Sequence, residues 1–371
     1  MNEYFRQPES RASRKISGSL CGCVFLSLLL VGLLLLAGCG APSAKSKTKI
    51  VMFEAGSLMV PYAAIEKAFE AENPDIDVEI EAHGSIQVIR HVTELGVDID
   101  VVAVADSSLI PMLMYATKMD NGKPYASWYI EPARNEFVIA YSANSKYADI
   151  LTADNWYDIL SRPDVKVGLS DPRMDAVGYR TLMMTKLAEK YYGQQGIMSN
   201  TVGKYFTTPI TSTNTNGIDL IKVPELLDPT SNHMYLRGAS LECISLLESG
   251  DIDYSFEYIS VAKQHHLKYL ELPAEINLSD TNYAAAYKTV EVSLDFRRFK
   301  SVEPLFEGTP IDYGITIAAN STHQKEAARL IAFILGPEGQ RICTENYQPP
   351  LIPPQCDNID ALPDILKSFF R

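Results

Sequence analysis

The sequence predicts an α/β protein built as two lobes, and three observations carry that prediction. From residue 49 onward, short apolar runs alternate with segments of helical spacing, the pattern of a parallel sheet covered by helices. The chain has 371 residues, and the 333 left after a removable segment of 38 exceed one ordinary core. The composition is globular, 46% hydrophobic and 21% charged, and no repeat or low-complexity tract interrupts residues 39–371.

Residues 1–38 read as an export signal. Arg6, Arg11, Arg14 and Lys15 precede an uncharged, Leu-rich run over 16–37, and Leu36-Ala37-Gly38-Cys39 ends it. A basic segment, an apolar run, small residues at the cut and a cysteine define a lipoprotein-type signal, with Cys39 as the acylated residue. The competing reading is a transmembrane anchor, because about 20 apolar residues span a bilayer. Cysteine directly after Leu-Ala-Gly favours lipidation. Residues 39–48 then form a short tether. The mature protein is expected outside the cytoplasm, at the outer face of the cell membrane or in a periplasm, held only by its lipid.

The first lobe is expected over 49–134. An apolar strand over 49–54 runs into Gly56-Ser57, and helical spacing continues through Ile65 and Phe69 to the stop at Asn73-Pro74-Asp75. A strand over 77–82, the Gly84-Ser85 turn and a helix over 86–95 repeat the unit. A third strand over 100–105 leads through Asp106-Ser107-Ser108 to a helix ending near Met114. A strand over 135–141 carries the chain into a second lobe, expected over 135–282. Its elements are a helix near 154–160, a strand over 165–169, a strong helix over 178–192 and an irregular stretch near 207–217. A helix over 238–248 and a strand over 251–257 follow. Residues 283–371 are expected to return to the first lobe, crossing somewhere between 275 and 312, with a strand over 312–318 and a helix over 325–335 closed by Gly336-Pro337.

Charge and cysteine content narrow the function. Thirty-three basic and 46 acidic residues become 29 and 44 once the signal, with four and two of them, is removed, a net −15. Such a surface excludes nucleic acid and an anionic membrane face as partners, and any anion site must work through short-range contacts. Cys343 and Cys356 are candidates for a disulfide, which leaves an odd thiol. Neither cysteines nor histidines have metal-site spacing, and adjacent His265 and His266 point in different directions. No cofactor and no metal-ion enzyme is expected.

Three turns share one construction, a strand followed by small polar residues and a helix start: Gly56-Ser57, Gly84-Ser85 and Asp106-Ser107-Ser108. Helix starts offer unpaired N–H groups, and in an open α/β sheet such turns lie together beyond the carboxyl ends of the strands. N-capping explains each one separately, and a small-anion cradle explains them jointly. In the second lobe, Ser170-Asp171-Pro172-Arg173-Met174-Asp175 leads into a further helix start. There Asp175 has a simple reading as a carboxylate complementing the helix dipole.

Several of these segments, in this order, resemble the tungstate/molybdate-binding lipoproteins that feed ABC importers. They are Ala55-Gly56-Ser57-Leu58, Ala105-Asp106-Ser107-Ser108-Leu109-Ile110-Pro111, Trp128-Tyr129 with Ala133-Arg134-Asn135-Glu136, and Asp154-Asn155-Trp156-Tyr157. The Asp175…Gly178-Tyr179-Arg180 loop and Glu248-Ser249-Gly250-Asp251-Ile252-Asp253-Tyr254 complete the set, so the resemblance covers about 49–346. It implies a type II periplasmic solute-binding fold, two α/β lobes joined by crossing strands with the ligand in the cleft. It also implies that Gly56, Ser57 and Ser85 hold oxyanion oxygens from the first lobe, and that Asp175, the Ala176 and Val177 amides and Tyr258 do so from the second. A monomer that delivers its anion to an ABC permease is the expected working unit.

In archaeal members of that family, an aspartate at the Asp175 position and a glutamate early in a later helix approach the metal, which makes Asp175 a candidate direct ligand. Tungsten(VI) and molybdenum(VI) can expand to six oxygen ligands; sulfur(VI) and phosphorus(V) cannot, so carboxylates would only repel their anions. Here Ser240 stands at that glutamate position. Glu242 lies two residues on, and Glu257, beside Tyr258, is a candidate substitute, although consecutive strand residues face opposite ways. Ser240, Glu257 and Ser108 are therefore secondary candidates. Three alternatives remain open: a binder of another small oxyanion such as sulfate, a lipoprotein that docks partners without binding solute, and an exported serine hydrolase. The last lacks a Gly-x-Ser-x-Gly elbow, and only His83 lies near Ser85 in sequence. An enzyme is not expected.

Overall fold

The computed structural model describes residues 46–294 and 304–370. The signal, Cys39 and most of the tether lie outside the described residues. β1 (Thr48–Ala55) buries Ile50 and Met52 on one face and Phe53 on the other, because helices cover both sides of its sheet. After the Gly56–Leu58 turn comes the helix Met59–Glu72; β2 (Ile76–His83) and the helix Ser85–Thr93 follow. β3 (Val101–Val104) is buried throughout and flanks β1 on the side away from β2, both neighbours being parallel to it. The segment after β3 winds as a π-helix over Ile110–Tyr115, and β4 (Ile130–Ala133) completes this pass.

The chain then crosses to a second sheet through β5 (Phe137–Tyr141). β6 (Val167–Ser170) leads into the helix Ala176–Tyr192, whose buried length occupies the centre of this lobe. β7 (Thr211–Thr215) and β8 (Ile218–Val223) form a hairpin where the sequence predicts irregular chain. Its turn residues Asn216 and Gly217 both have positive φ, 53° and 87°, as a two-residue type I′ turn demands. β9 (Met234–Arg237) precedes the helix Ser240–Ser249, and β10 (Tyr254–Tyr258) precedes the helix Ile259–Gln264, with β11 (Lys268–Glu271) at the sheet edge. β12 (Val290–Leu294) pairs parallel with β8, and β13 (Leu305–Glu307) pairs antiparallel with β12.

β12 and β13 thus belong with the β7–β8 hairpin in a third sheet. The return to the first sheet comes at residues 311–313, later than the expected boundary at 283, because Val290 and Val292 find their buried partners beside β8. β14 (Gly314–Ile317) enters antiparallel between β3 and β4. The helix Gln324–Leu335 ends at Gly336, where Pro337 opens a further helix, Pro337–Glu345, since its ring suits a first helical position. β15 (Pro350–Cys356) closes the edge. The sheet orders are β15-β4-β14-β3-β1-β2, β11-β5-β10-β6-β9 and β13-β12-β8-β7. Cys343 and Cys356 do not pair; they and Cys243 are free thiols, the first two separated on a helix and an edge strand.

Two features position the site. β1, β2 and β3 are mutually parallel, as are β6, β9 and β10, so each sheet gathers its strand-to-helix turns along one edge. The two crossings out of and back into the first sheet are also bound to each other. Asn135 donates its N–H to Ile311 at 3.1 Å, Tyr313 donates to Ala133 at 3.0 Å, and Arg134 pairs with Asp312 at 2.5 Å.

Candidate functional site

The carboxyl edges of the two sheets meet. The Ile86 N–H donates to the Met174 carbonyl at 3.1 Å, and a Cβ on Gly84 would fall 2.5 Å from that same oxygen. Gly84 has ordinary extended angles, so close approach of the lobes, not φ, is what requires glycine there. Gly56 faces Leu241 across the same seam, with a hypothetical Cβ 2.9 Å from Leu241 Cδ1.

Five of the expected residues come together at this seam. Ser57 is 3% exposed and its Oγ accepts the Tyr313 hydroxyl at 2.8 Å; Ser85 is 1% exposed and its Oγ accepts the Ala105 N–H at 3.0 Å. A serine hydroxyl has one proton, and among the described residues neither serine spends it on an acceptor. The Ala105 carbonyl accepts from Arg180 Nη1, which also donates to the Tyr258 hydroxyl at 2.8 Å. The Tyr258 and Tyr313 rings meet edge to face at 6.2 Å. Ser85, Ala105, Arg180, Tyr258, Tyr313 and Ser57 thereby form a chain of contacts spanning both lobes. Asp175 lies against Gly84, its Cα 3.3 Å from the hypothetical Cβ.

Asp175 caps two helices. Its Oδ1 accepts the Val177 N–H at 3.1 Å and its Oδ2 accepts the Ser240 N–H at 2.7 Å, so the Val177 amide is turned onto the carboxylate. Burial raises the Asp175 pKa to about 6 against the pull of the Ser240 and Val177 amides, Arg180 and the Ala176 amide. Glu257 is fully buried; its Oε1 accepts the Tyr258 N–H at 2.8 Å, and among the described residues its Oε2 is enclosed without a donor in hydrogen-bonding geometry. Burial pushes its pKa up to about 8, the Tyr258 amide and the Ser240 side chain counter the rise, and Asp175 adds to it. Tyr258 and Glu257 do face opposite ways: the tyrosine ring meets Phe137 and Tyr313, while the carboxyl lies towards Ser240 and Cys243.

Ser108 is held elsewhere. Its hydroxyl and N–H both donate to Asp106 Oδ1, at 2.6 and 3.0 Å, so its proton is used inside its own turn. Asp106 and Arg180 are not among the expected site residues, yet they lie at its centre. Asp106 Oδ2 accepts the Tyr179 hydroxyl at 2.6 Å and lies 3.2 Å from Arg180 Nη2, an ion pair buried between the lobes. One signal for it was available: a permanently charged residue within a helix whose neighbours are all buried needs a partner. Neither serine meets a histidine, since His83 Nε2 lies 3.3 Å from Glu81 and its ring packs on Phe53 and His91.

Glu257 makes stability depend on pH. Its folded pKa of about 8 stands above the ordinary 4.5, so its contribution is fully present below pH 4.5 and is lost as pH rises through 8. The linkage is worth about 5 kcal/mol over that window. Asp175 acts in the same sense but finishes near pH 6, so the fall in Tm between pH 6.5 and 8.5 is carried by Glu257 together with Glu54, which burial also holds well above the ordinary carboxyl range. Scanning calorimetry of the ligand-free protein is expected to show that fall and to find it shallower in Glu257→Gln; an equal slope in both proteins would contradict the assignment.

Residues 50–347 match the family described as bacterial extracellular solute-binding protein. A molybdate/tungstate-binding protein, WtpA, of Pyrococcus abyssi is 38% identical over 342 residues, 90% of this chain and 94% of that protein. An uncharacterised solute-binding protein of Petrotoga mobilis is 40% identical over 324 residues, 87% of this chain and 90% of that protein. The solved periplasmic molybdate-binding protein of Azotobacter vinelandii shares the fold, with a TM-score of 0.51 at 14% identity over 81% of this chain and 98% of that one.

Proposed function

This chain belongs to the bacterial extracellular solute-binding protein family, and on that premise we propose that it captures tungstate or molybdate for an ABC importer. The carrying observation is the pair of buried serine hydroxyls, each fixed by accepting one hydrogen bond and left with a proton to donate, set against Asp175 and Tyr258 of the other lobe. The name of the Pyrococcus abyssi relative supports the choice of anion. Gly56, Ser57 and Ser85 supply donors from the first lobe; the Ala176 amide and Tyr258 supply them from the second. Asp175, its oxygens facing the Ser240 and Val177 amides, is the candidate ligand to the metal centre itself. Contacts from both lobes favour the closed form, and that shape is what the permease recognises.

The protein works outside the cytoplasm. Acylation of Cys39 after removal of residues 1–38 would hold it at the membrane, and no described helix is long and apolar enough to cross one. The test is calorimetric titration with tungstate, molybdate, sulfate and phosphate side by side. Tungstate and molybdate are expected to bind at micromolar dissociation constants or tighter, with sulfate and phosphate at least about 100-fold weaker, or about 2.7 kcal/mol. Absence of heat with all four ends the proposal. X-ray absorption on the bound metal then counts its oxygens: four for capture by hydrogen bonds alone, more if Asp175 or Glu257 joins the coordination sphere.

A further inference from the structure

We infer that Asn135 and Tyr313 are positioning residues that aim the Ser57 proton into the site through a hydrogen-bond relay of fixed direction, an inference resting on the oxyanion reading above. The direction follows from what each group can do. The Asn135 Oδ1 accepts the Glu136 N–H at 2.9 Å and the Ser260 N–H at 3.5 Å, so the side-chain amide cannot be turned over without facing two donors with a third. Its Nδ2 therefore points the other way, where it reaches the Ser260 hydroxyl at 2.8 Å, the Tyr313 hydroxyl at 2.9 Å and Gln348 Oε1 at 3.2 Å. An amide nitrogen only donates. Its two protons go to the two nearest oxygens, those of Ser260 and Tyr313, with Gln348 Oε1 sharing at longer range, so the phenolic proton of Tyr313 is left for Ser57 Oγ at 2.8 Å. Ser57 Oγ accepts in turn, so its own proton is the one remaining outward donor.

The relay is buried along its whole length: Tyr313 and Gln348 are fully enclosed, and Asn135 is 7% exposed. Gln348 holds the far end, its Nε2 donating to the Arg134 carbonyl at 3.1 Å while its Oε1 takes part of the Asn135 amide. Hydrogen bonds that run in one direction polarise one another in a low-dielectric interior, which makes the terminal hydroxyl a better donor to an anion than an isolated serine. Its two upstream members sit on the two crossings, Asn135 on the outgoing segment and Tyr313 on the returning one, 178 residues apart. The first lobe's serine is thereby aimed by the segments about which the lobes join. Neither residue needs to touch the anion.

The test is a double-mutant cycle on tungstate affinity by calorimetry. Tyr313→Phe keeps the ring against Tyr258 and removes only the hydroxyl. It is expected to weaken tungstate binding about tenfold when Ser57 is present, and by less than about twofold in a Ser57→Ala background, where the relay has no terminus. Asn135→Ala is expected to show the same dependence on Ser57, about tenfold with it and less than about twofold without it, and gives an independent second cycle. A packing role would persist after Ser57 is removed. Equal losses in both backgrounds, or no loss with Ser57 present, overturn the relay alone. Wild-type protein that gives no heat with tungstate overturns the oxyanion reading and takes the relay with it.

Discussion

Replacing Ser57 and Ser85 together by alanine is expected to weaken tungstate and molybdate binding by about 10²–10⁴-fold while the protein stays folded. Each hydroxyl is a buried donor, and hydrogen bonds to a charged acceptor are worth about 1.5–3 kcal/mol each. The anion cannot recover that energy from water, because both serines are enclosed between the lobes. The folded protein loses less. Tyr313 is left without an acceptor and the Ala105 N–H without a partner, costing about 1–3 kcal/mol per group. Calorimetry should show the loss of affinity and circular dichroism a native spectrum with a lowered Tm. Affinity unchanged in the double variant would remove both serines from the site.

Arg180→Met is expected to destabilise the protein by about 3–5 kcal/mol, as removal of one partner from a buried ion pair does. Asp106 would be left enclosed with its charge, held only by the Tyr179 hydroxyl and the Ser108 turn, which places the expected loss towards the lower end of that range. The Ala105 carbonyl and the Tyr258 hydroxyl lose their shared donor as well. Adding Asp106→Asn should recover much of the loss, since the uncompensated charge is then gone and the two changes are coupled through one contact. Urea unfolding of the two single variants and the double variant measures this directly. Additive losses would show that the two charges do not interact.

The sequence was legible wherever function and fold were local. The strand-turn-helix units over 48–104 stand out because helices on both faces make the run Ile50–Phe53 of β1 and the whole of β3 apolar, and the Gly-Ser turns follow the ends of β1 and β2. The third sheet was missed because β7, Thr211–Thr215, is polar and largely exposed, although Asn216-Gly217 between two short runs was a hairpin signal in plain view. Ser108 looked like a donor for the site, yet two residues away Asp106 captured it, a competition that the turn itself decides. The long-range partners had no local signal at all. Tyr179 and Asp106 are 73 residues apart and Asn135 and Tyr313 are 178 apart, so only the assembled lobes bring them together.

The bare backbone at Gly84 makes the protein a calliper. Its jaws shut on the Met174 carbonyl, an unyielding surface with no rotamer to swing aside, and the Ile86 amide latches at the same point. On the oxyanion reading, that main-chain stop fixes how nearly the lobes approach before any side chain tests the chemistry of a solute.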